Sequence, residues 1–428
     1  MAEPLLLSAV EGIHASHTAV PQTFAMVGVL AGEAPAIGAL RERAVERWGA
    51  VERLRWVLPS VHEASARRDF GWGRQRWRVL DRFDPVRHVV TSDDSSSLAD
   101  LAGPLVGLPL PRDLPPWRLR VIRLMGTRQF ALALVVHHAL MDGASARNLF
   151  NRLLDGPSSG REDRRPVRSP GPVPPSAPPD AWGGPRTALE LLNPSKRLPV
   201  HRSRARGEAV WIPVDPGALG AAQQVLPGSV VTRTEVLLSA AAGALRTVYG
   251  PPERWPGRRG APVYAGVPVD LRSDPGELGN VLSGLRVPLP VGRTSPRARL
   301  ADCRGLVAAL RADHAPAGSR LLDVALRAGT PALRALGALM PILAPVGCTA
   351  MGWKGGPWFL DGRPLVRMVG VPTLSVPGTL YFMLVDYAGT PSLCVVANAL
   401  PGQPTLLATA FARELDALTA RETLARPR

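Results

Sequence analysis

Seven consecutive residues carry the clearest chemistry in this sequence: His137-His138-Ala139-Leu140-Met141-Asp142-Gly143. An imidazole titrates near neutrality. It can take a proton from a hydroxyl or amine attacking a carbonyl, then return one to the leaving group. A thioester is already activated, so a thioester donor needs no covalent enzyme nucleophile, and one well-placed histidine suffices for acyl transfer. Asp142 is close enough to shape the turn or to neutralise a buried arginine, and Gly143 permits a tight backbone. Two blander readings stand beside this one. A histidine on an apolar strand is usually a packed structural residue, and of two adjacent strand histidines only one can face a given channel. A zinc site is the other reading, but adjacent strand histidines point apart and no third ligand is evident.

Residues 128–137 read as the strand that delivers the motif. Phe130, Leu132, Leu134 and Val136 fall on one side and Ala131, Ala133 and Val135 on the other. Both faces are apolar, which predicts a central strand. Parity puts His138 on the Phe130 side and His137 on the opposite one. A helix is expected from about Ala144. Earlier, a helix is read over residues 36–54 and strands near 77–80 and 89–91. Residues 155–207, rich in Pro, Gly and Ser, read as a linker or long crossover. Beyond it come a strand at 209–214, a helix at 234–249 and strands at 263–269 and 286–289. Helices follow at 295–312 and 331–343, strands at 380–385 and 393–398, and a final helix carrying Leu407, Phe411, Leu415 and Leu418. Helices and strands mix without strict alternation, so the class is α+β. The domain boundaries expected are 1–155, a linker at 156–207, and 208–428.

A chain of 428 residues exceeds one compact core, and its net charge is +16. Almost all of the positive charge is arginine; the lysines are Lys196 and Lys354. This balance favours anionic partners, such as cofactor phosphates, an acidic carrier protein or an anionic membrane surface. Nucleic acid is disfavoured, because the basic residues are scattered and no recognition signature appears. Cys303, Cys348 and Cys394 form neither a metal motif nor a disulfide framework, and the start MAEPLLLSAVEG lacks a secretion signal. A cytoplasmic location is expected, with peripheral contact at the inner membrane or lipid inclusions as the variant. Residues 335–353 are free of charge, but prolines and glycines interrupt them, so they read as a buried helix followed by an irregular loop.

HHALMDG resembles the HHxxxDG motif of the chloramphenicol-acetyltransferase-like superfamily. Further segments are similar to the bacterial wax ester synthase/acyl-CoA:diacylglycerol acyltransferase family. They are FDPVRHV at 83–89, PLPRDLPPW at 109–117, VPVDLR at 267–272, Gly279-Asn280, VPLP at 287–290 and VDYAGTPSLCVVAN at 385–398. The resemblance implies two acetyltransferase-like halves, with mixed sheets flanked by helices and an active-site tunnel between them. It implies His138 as general base and Asp142 as partner of an arginine, for which Arg272 is the candidate. His137 and Gly143 complete the motif, while Trp117, Asn280 and the Thr234 position would shape the channel.

The implied co-substrate is acyl-CoA, with no metal and no permanently bound cofactor. The implied acceptor is a hydroxylated molecule: a long-chain alcohol, a diacylglycerol or a hydroxylated natural product. The sequence departs from the family at three places. Thr234-Glu235 replaces an Asn-Asp pair, Pro115-Pro116-Trp117 replaces PLW, and CTAMGWKGGP at 348–357 stands where SNVPGP is usual. These departures suggest tailoring of a specialised metabolite. They also keep two alternatives in play: a condensation-type enzyme fed by an acyl carrier protein and forming an ester or amide, and a non-catalytic lipid-binding or scaffold member.

Overall fold

The computed structural model describes residues 5–16, 21–59, 75–156, 193–199, 207–228, 230–353, 355–373, 378–398 and 401–420. Two six-stranded sheets form its frame. The first is built from β1 (Thr23–Ala31), β4 (Val89–Thr91), β5 (Trp117–Leu124), β6 (Gln129–His137), β11 (Phe359–Leu360) and β12 (Arg363–Val371), in the order β11-β12-β1-β6-β5-β4. The second is built from β7 (Glu208–Pro213), β8 (Val263–Asp270), β9 (Leu282–Leu289), β10 (Val346–Trp353), β13 (Leu380–Tyr387) and β14 (Thr390–Ala397), in the order β7-β14-β13-β10-β8-β9. A separate pair joins β2 (Trp56–Val57) to β3 (Arg78–Val79). One apolar cluster centres on the first sheet and also takes in Val385, Cys394 and Val396 of the second; another gathers the alternate residues of the second sheet, Phe382, Leu384 and Val395.

The division expected at residue 208 is crossed by the chain. Strands β11 and β12 leave the second half and complete the first sheet, where β12 runs antiparallel to β1. A two-residue turn joins β11 to β12. Asp361 (φ 47°) and Gly362 (φ 78°) both adopt the left-handed region, the signature of a hairpin turn that suits Asp-Gly. Of the expected linker, residues 157–192 and 200–206 lie outside the described residues. The piece at 193–199 docks on the second lobe, where buried Lys196 donates through Nζ to the Trp255 carbonyl at 3.3 Å.

β6 is central as expected, and residues 130–136 are wholly buried. Other expectations need correction. The single helix expected at 295–312 is two helices, Pro296–Cys303 and Leu306–Arg327, divided at Gly305 with φ 72°. The irregular loop expected after residue 343 is β10, paired along its whole length in parallel with β13. Its glycines were misleading: a Cβ on Gly347 would lie 2.2 Å from the Tyr381 ring, so glycine makes room for a neighbour and breaks nothing. Residues 36–54 fold as the helix Ile37–Trp48 and then a short 3-10 turn, Glu52–Arg55. The sequence reading also missed β1, β5, β12 and the first helix, α1 (Ala9–Ser16). Among the described residues, no helix is long and apolar enough to cross a membrane.

Candidate active site

The parallel ladder between β8 and β10 holds for two residue pairs, Ala265 with Val346 and Gly266 with Gly347, and no further pairing joins the two strands. A cavity of about 420 Å³ lies there, lined by residues 266–268 and Asp270 on one side and 349–352 on the other. The motif loop closes it from the first lobe: His138, Asp142, Gly143 and Arg147 are in its wall. Of the residues singled out from sequence, His138, Asp142, Gly143 and Arg272 meet at this cavity. His137, Trp117, Thr234 and Asn280 are not in its wall.

His138 follows the last residue of β6 and emerges on the face that parity predicts. Phe24, the β1 partner of Val136, sits beside its ring at 5.3 Å between centroids. The backbone N–H of His138 donates to the Gln22 carbonyl at 2.6 Å. Nδ1 of the ring is buried without a hydrogen-bond partner, and His138 forms part of the cavity wall. Burial pushes the imidazole below its usual range. The Asp142 carboxylate, the residue's own carbonyl and Asn280 work less strongly the other way. The ring is therefore neutral at neutral pH, the form a base requires.

Asp142 does two structural jobs. It caps the helix Gly143–Leu153 by accepting from the Ser145 N–H at 2.9 Å, and it binds the Val281 N–H at 3.1 Å. Arg272 completes the lock, with Nη2 at 2.7 Å from both Asp142 oxygens and 2.9 Å from the Gly279 carbonyl. Both side chains are almost wholly buried. Arg272 also reaches Asp270 and the Glu277 carbonyl. Asn280 donates from Nδ2 to the carbonyls of His138 and Ala139 at 2.8 and 3.0 Å. It thus holds the His138 backbone from behind and is not in the cavity wall. Gly279 is required beside it: with φ 135°, its Cβ position lies 3.2 Å from the Arg53 guanidinium.

His137 accepts from the Ala139 N–H through Nδ1 at 3.2 Å. Burial, and secondarily the neighbouring His138, hold its pKa down to about 4, so it is a neutral structural residue of the turn. Trp117 corrects the sequence reading most sharply. It is 1% exposed, donates from Nε1 to the Leu54 carbonyl, and stacks on His88 at 4.3 Å and on Phe83 at 5.9 Å. The 83–89 and 109–117 segments therefore build one aromatic stack behind the sheet, far from a channel role. Thr234 is likewise displaced from the site. It lies in the first turn of the helix Arg233–Tyr249, which Thr232 and Glu235 close as a reciprocal capping box.

Sequence reasoning missed His14, Gln22 and Met351. His14 lies flat against His138, and Met351 of β10 reaches to Gly143. A capping pattern, Ser8-x-x-Glu11, marked the helix that bears His14, but nothing in the sequence tied that helix to residue 138.

Two lobes with an HHxxxDG loop facing a cavity between them, braced by a buried Asp–Arg pair, define a chloramphenicol-acetyltransferase-like fold. Within that class, the chain belongs to the wax ester synthase/diacylglycerol acyltransferase catalytic-domain family, whose model matches residues 16–249. A Mycobacterium tuberculosis protein, Rv0221, named as a diacylglycerol O-acyltransferase, is 26% identical over 258 residues, 53% of each chain. The chain thus spans about half the length of the curated relatives it matches. The solved wax ester synthase/diacylglycerol acyltransferase from Marinobacter aquaeolei VT8 superposes with a TM-score of 0.64 at 17% identity, covering 96% of this chain and 98% of that one. The first condensation domain of the CDA synthetase gives 0.62 at 16% identity, covering 97% and 96%. At these identities the likeness is one of fold.

Proposed function

We propose that the protein is an O-acyltransferase that moves an acyl group from acyl-CoA to a hydroxyl acceptor, with His138 as general base. The observation that carries this reading is the placement of His138 in the wall of a cavity lined by residues of both lobes, beside the braced Asp142–Arg272 pair. Nε2 takes the acceptor's hydroxyl proton as the oxygen attacks the thioester carbonyl. The tetrahedral intermediate collapses, the C–S bond breaks, and the imidazolium returns its proton to the departing thiolate. Val267, Leu285, Leu380 and Met383 give the cavity an apolar wall suited to an acyl chain or an apolar acceptor. Thr349 and Tyr381, whose hydroxyls lie 2.6 Å apart, add a polar point there; burial pushes the Tyr381 phenol up to about 12, so it remains a donor.

The test is thiol release from long-chain acyl-CoA with a panel of alcohols and diacylglycerol. His138→Ala is expected to lose at least about a hundredfold in kcat while remaining folded. Retention of activity in that variant refutes the base. Turnover with carrier-bound thioesters alone would move the donor to an acyl carrier protein. Lipid binding without consumption of either thioester would leave a binding role.

A further inference from the structure

We propose that His14 is a positioning residue for the His138 base, stacked so that it stabilises the imidazolium formed as the acceptor hydroxyl gives up its proton. The inference rests on the reading of His138 as base. The two rings lie face to face, 4.1 Å between centroids and 10° from parallel, and both are in the cavity wall. Gln22 ties them together: its carbonyl accepts from the His138 N–H, and its Oε1 lies 3.1 Å from His14 Nδ1. The helix that carries His14 is anchored rather than loosely laid. Glu11 and Ser8 close its first turn reciprocally, Glu11 pairs with buried Arg53 and accepts from Trp77 Nε1, and Arg53 also donates to the Leu140 carbonyl of the motif loop.

The physical effect is selective for the transition state. Two neutral imidazoles in a stack gain little. Once His138 takes a proton, a cation lies against a neutral π-face and is attracted to it. The converse also holds. If both rings were charged, two cations would face each other at van der Waals distance, so the stack favours a single charge. The charged and titratable groups around the pair are all engaged elsewhere or shared with it. Glu11 is bound to Arg53, and Asp142 to Arg272. Asp270, Arg147, Arg286 and Tyr381 line the same cavity, His137 lies on the other side of the strand, and Asn280 holds the His138 carbonyl.

The test uses the full chain and three variants. His14→Ala removes the ring, and is expected to lower kcat roughly tenfold with KM within about twofold, the kinetic equivalent of one such contact. His14→Phe keeps a stacked face but cannot titrate. It is expected to recover most of the lost rate, and to change the acid limb of the pH–rate profile from two ionisations to one. NMR titration of the His138 ring supplies a readout independent of turnover, with its midpoint expected to move downward in His14→Ala and to stay near the wild-type position in His14→Phe. The proposal is overturned by wild-type kcat and pH profile in His14→Ala, or by equal losses in both variants with an unchanged acid limb. An unmoved His138 midpoint in His14→Ala overturns it as well. If His138→Ala remains active while the NMR coupling persists, the base assignment has failed and the ring–ring interaction stands.

Discussion

Arg272→Met should destabilise the protein severely, for a reason that can be worked from the site. The Arg272 and Asp142 side chains are 4% and 3% exposed, so the pair is out of water. Removing one member of such a pair leaves the other as an uncompensated buried charge, typically at a cost of about 3–5 kcal/mol. Asp142 keeps two backbone donors, Ser145 and Val281, which places the expectation at the lower end, about 3 kcal/mol. Arg272→Lys should rescue little, since an ammonium cannot reach Asp142, Asp270 and the Glu277 and Gly279 carbonyls together. The assay is urea denaturation at constant m-value, with Asp142→Asn and the double variant closing a thermodynamic cycle. The double variant should be clearly less unstable than the sum of the singles. A midpoint shift worth under about 1 kcal/mol in Arg272→Met, with additive singles, would refute the claim that this pair braces the loop.

Trp117→Phe should cost about 2 kcal/mol or more of stability, because it leaves the Leu54 carbonyl without its donor and a void in the His88–Phe83 stack; acceptor and chain-length preference should not change. A shift of selectivity without loss of stability would restore Trp117 to the channel. Stability should also fall as pH drops from about 6.5 toward about 4. His137 is folded in its neutral form, so in that window the unfolded chain binds the extra proton, and the loss from this residue reaches about 3 kcal/mol. His88, likewise depressed by burial, adds in the same direction. A comparison of denaturation midpoints with His137→Gln checks this, and an identical pH slope in the variant would sink it.

The motif strand was legible because a strand buried on both faces must be apolar at every position, and residues 130–136 are. The Asp142–Arg272 pair was legible only through family resemblance, since 130 residues separate them and no local pattern links them. Trp117 and Thr234 were misassigned because a recurring motif can serve packing as readily as a channel. The 83–89 segment and Trp117 recur together in this chain as one stack, and Thr232-x-x-Glu235 as one helix cap. β10 is not legible locally, because its glycines look like breakers in the sequence while in the fold Gly347 yields space to the Tyr381 ring.

The sequence by itself determined the motif histidine proposed as base, its strand, the side of that strand it leaves from, and the α+β class. These depend on residue type and on periodicities of a few positions, which local chemistry fixes. Tertiary structure alone decided that β12 crosses to the first sheet, that β8 and β10 share only two residue pairs beside the cavity, and that His14 rests on His138. Each of these is a meeting of residues far apart in the chain. It is set by which apolar faces can be buried together, and no short window of sequence contains both partners.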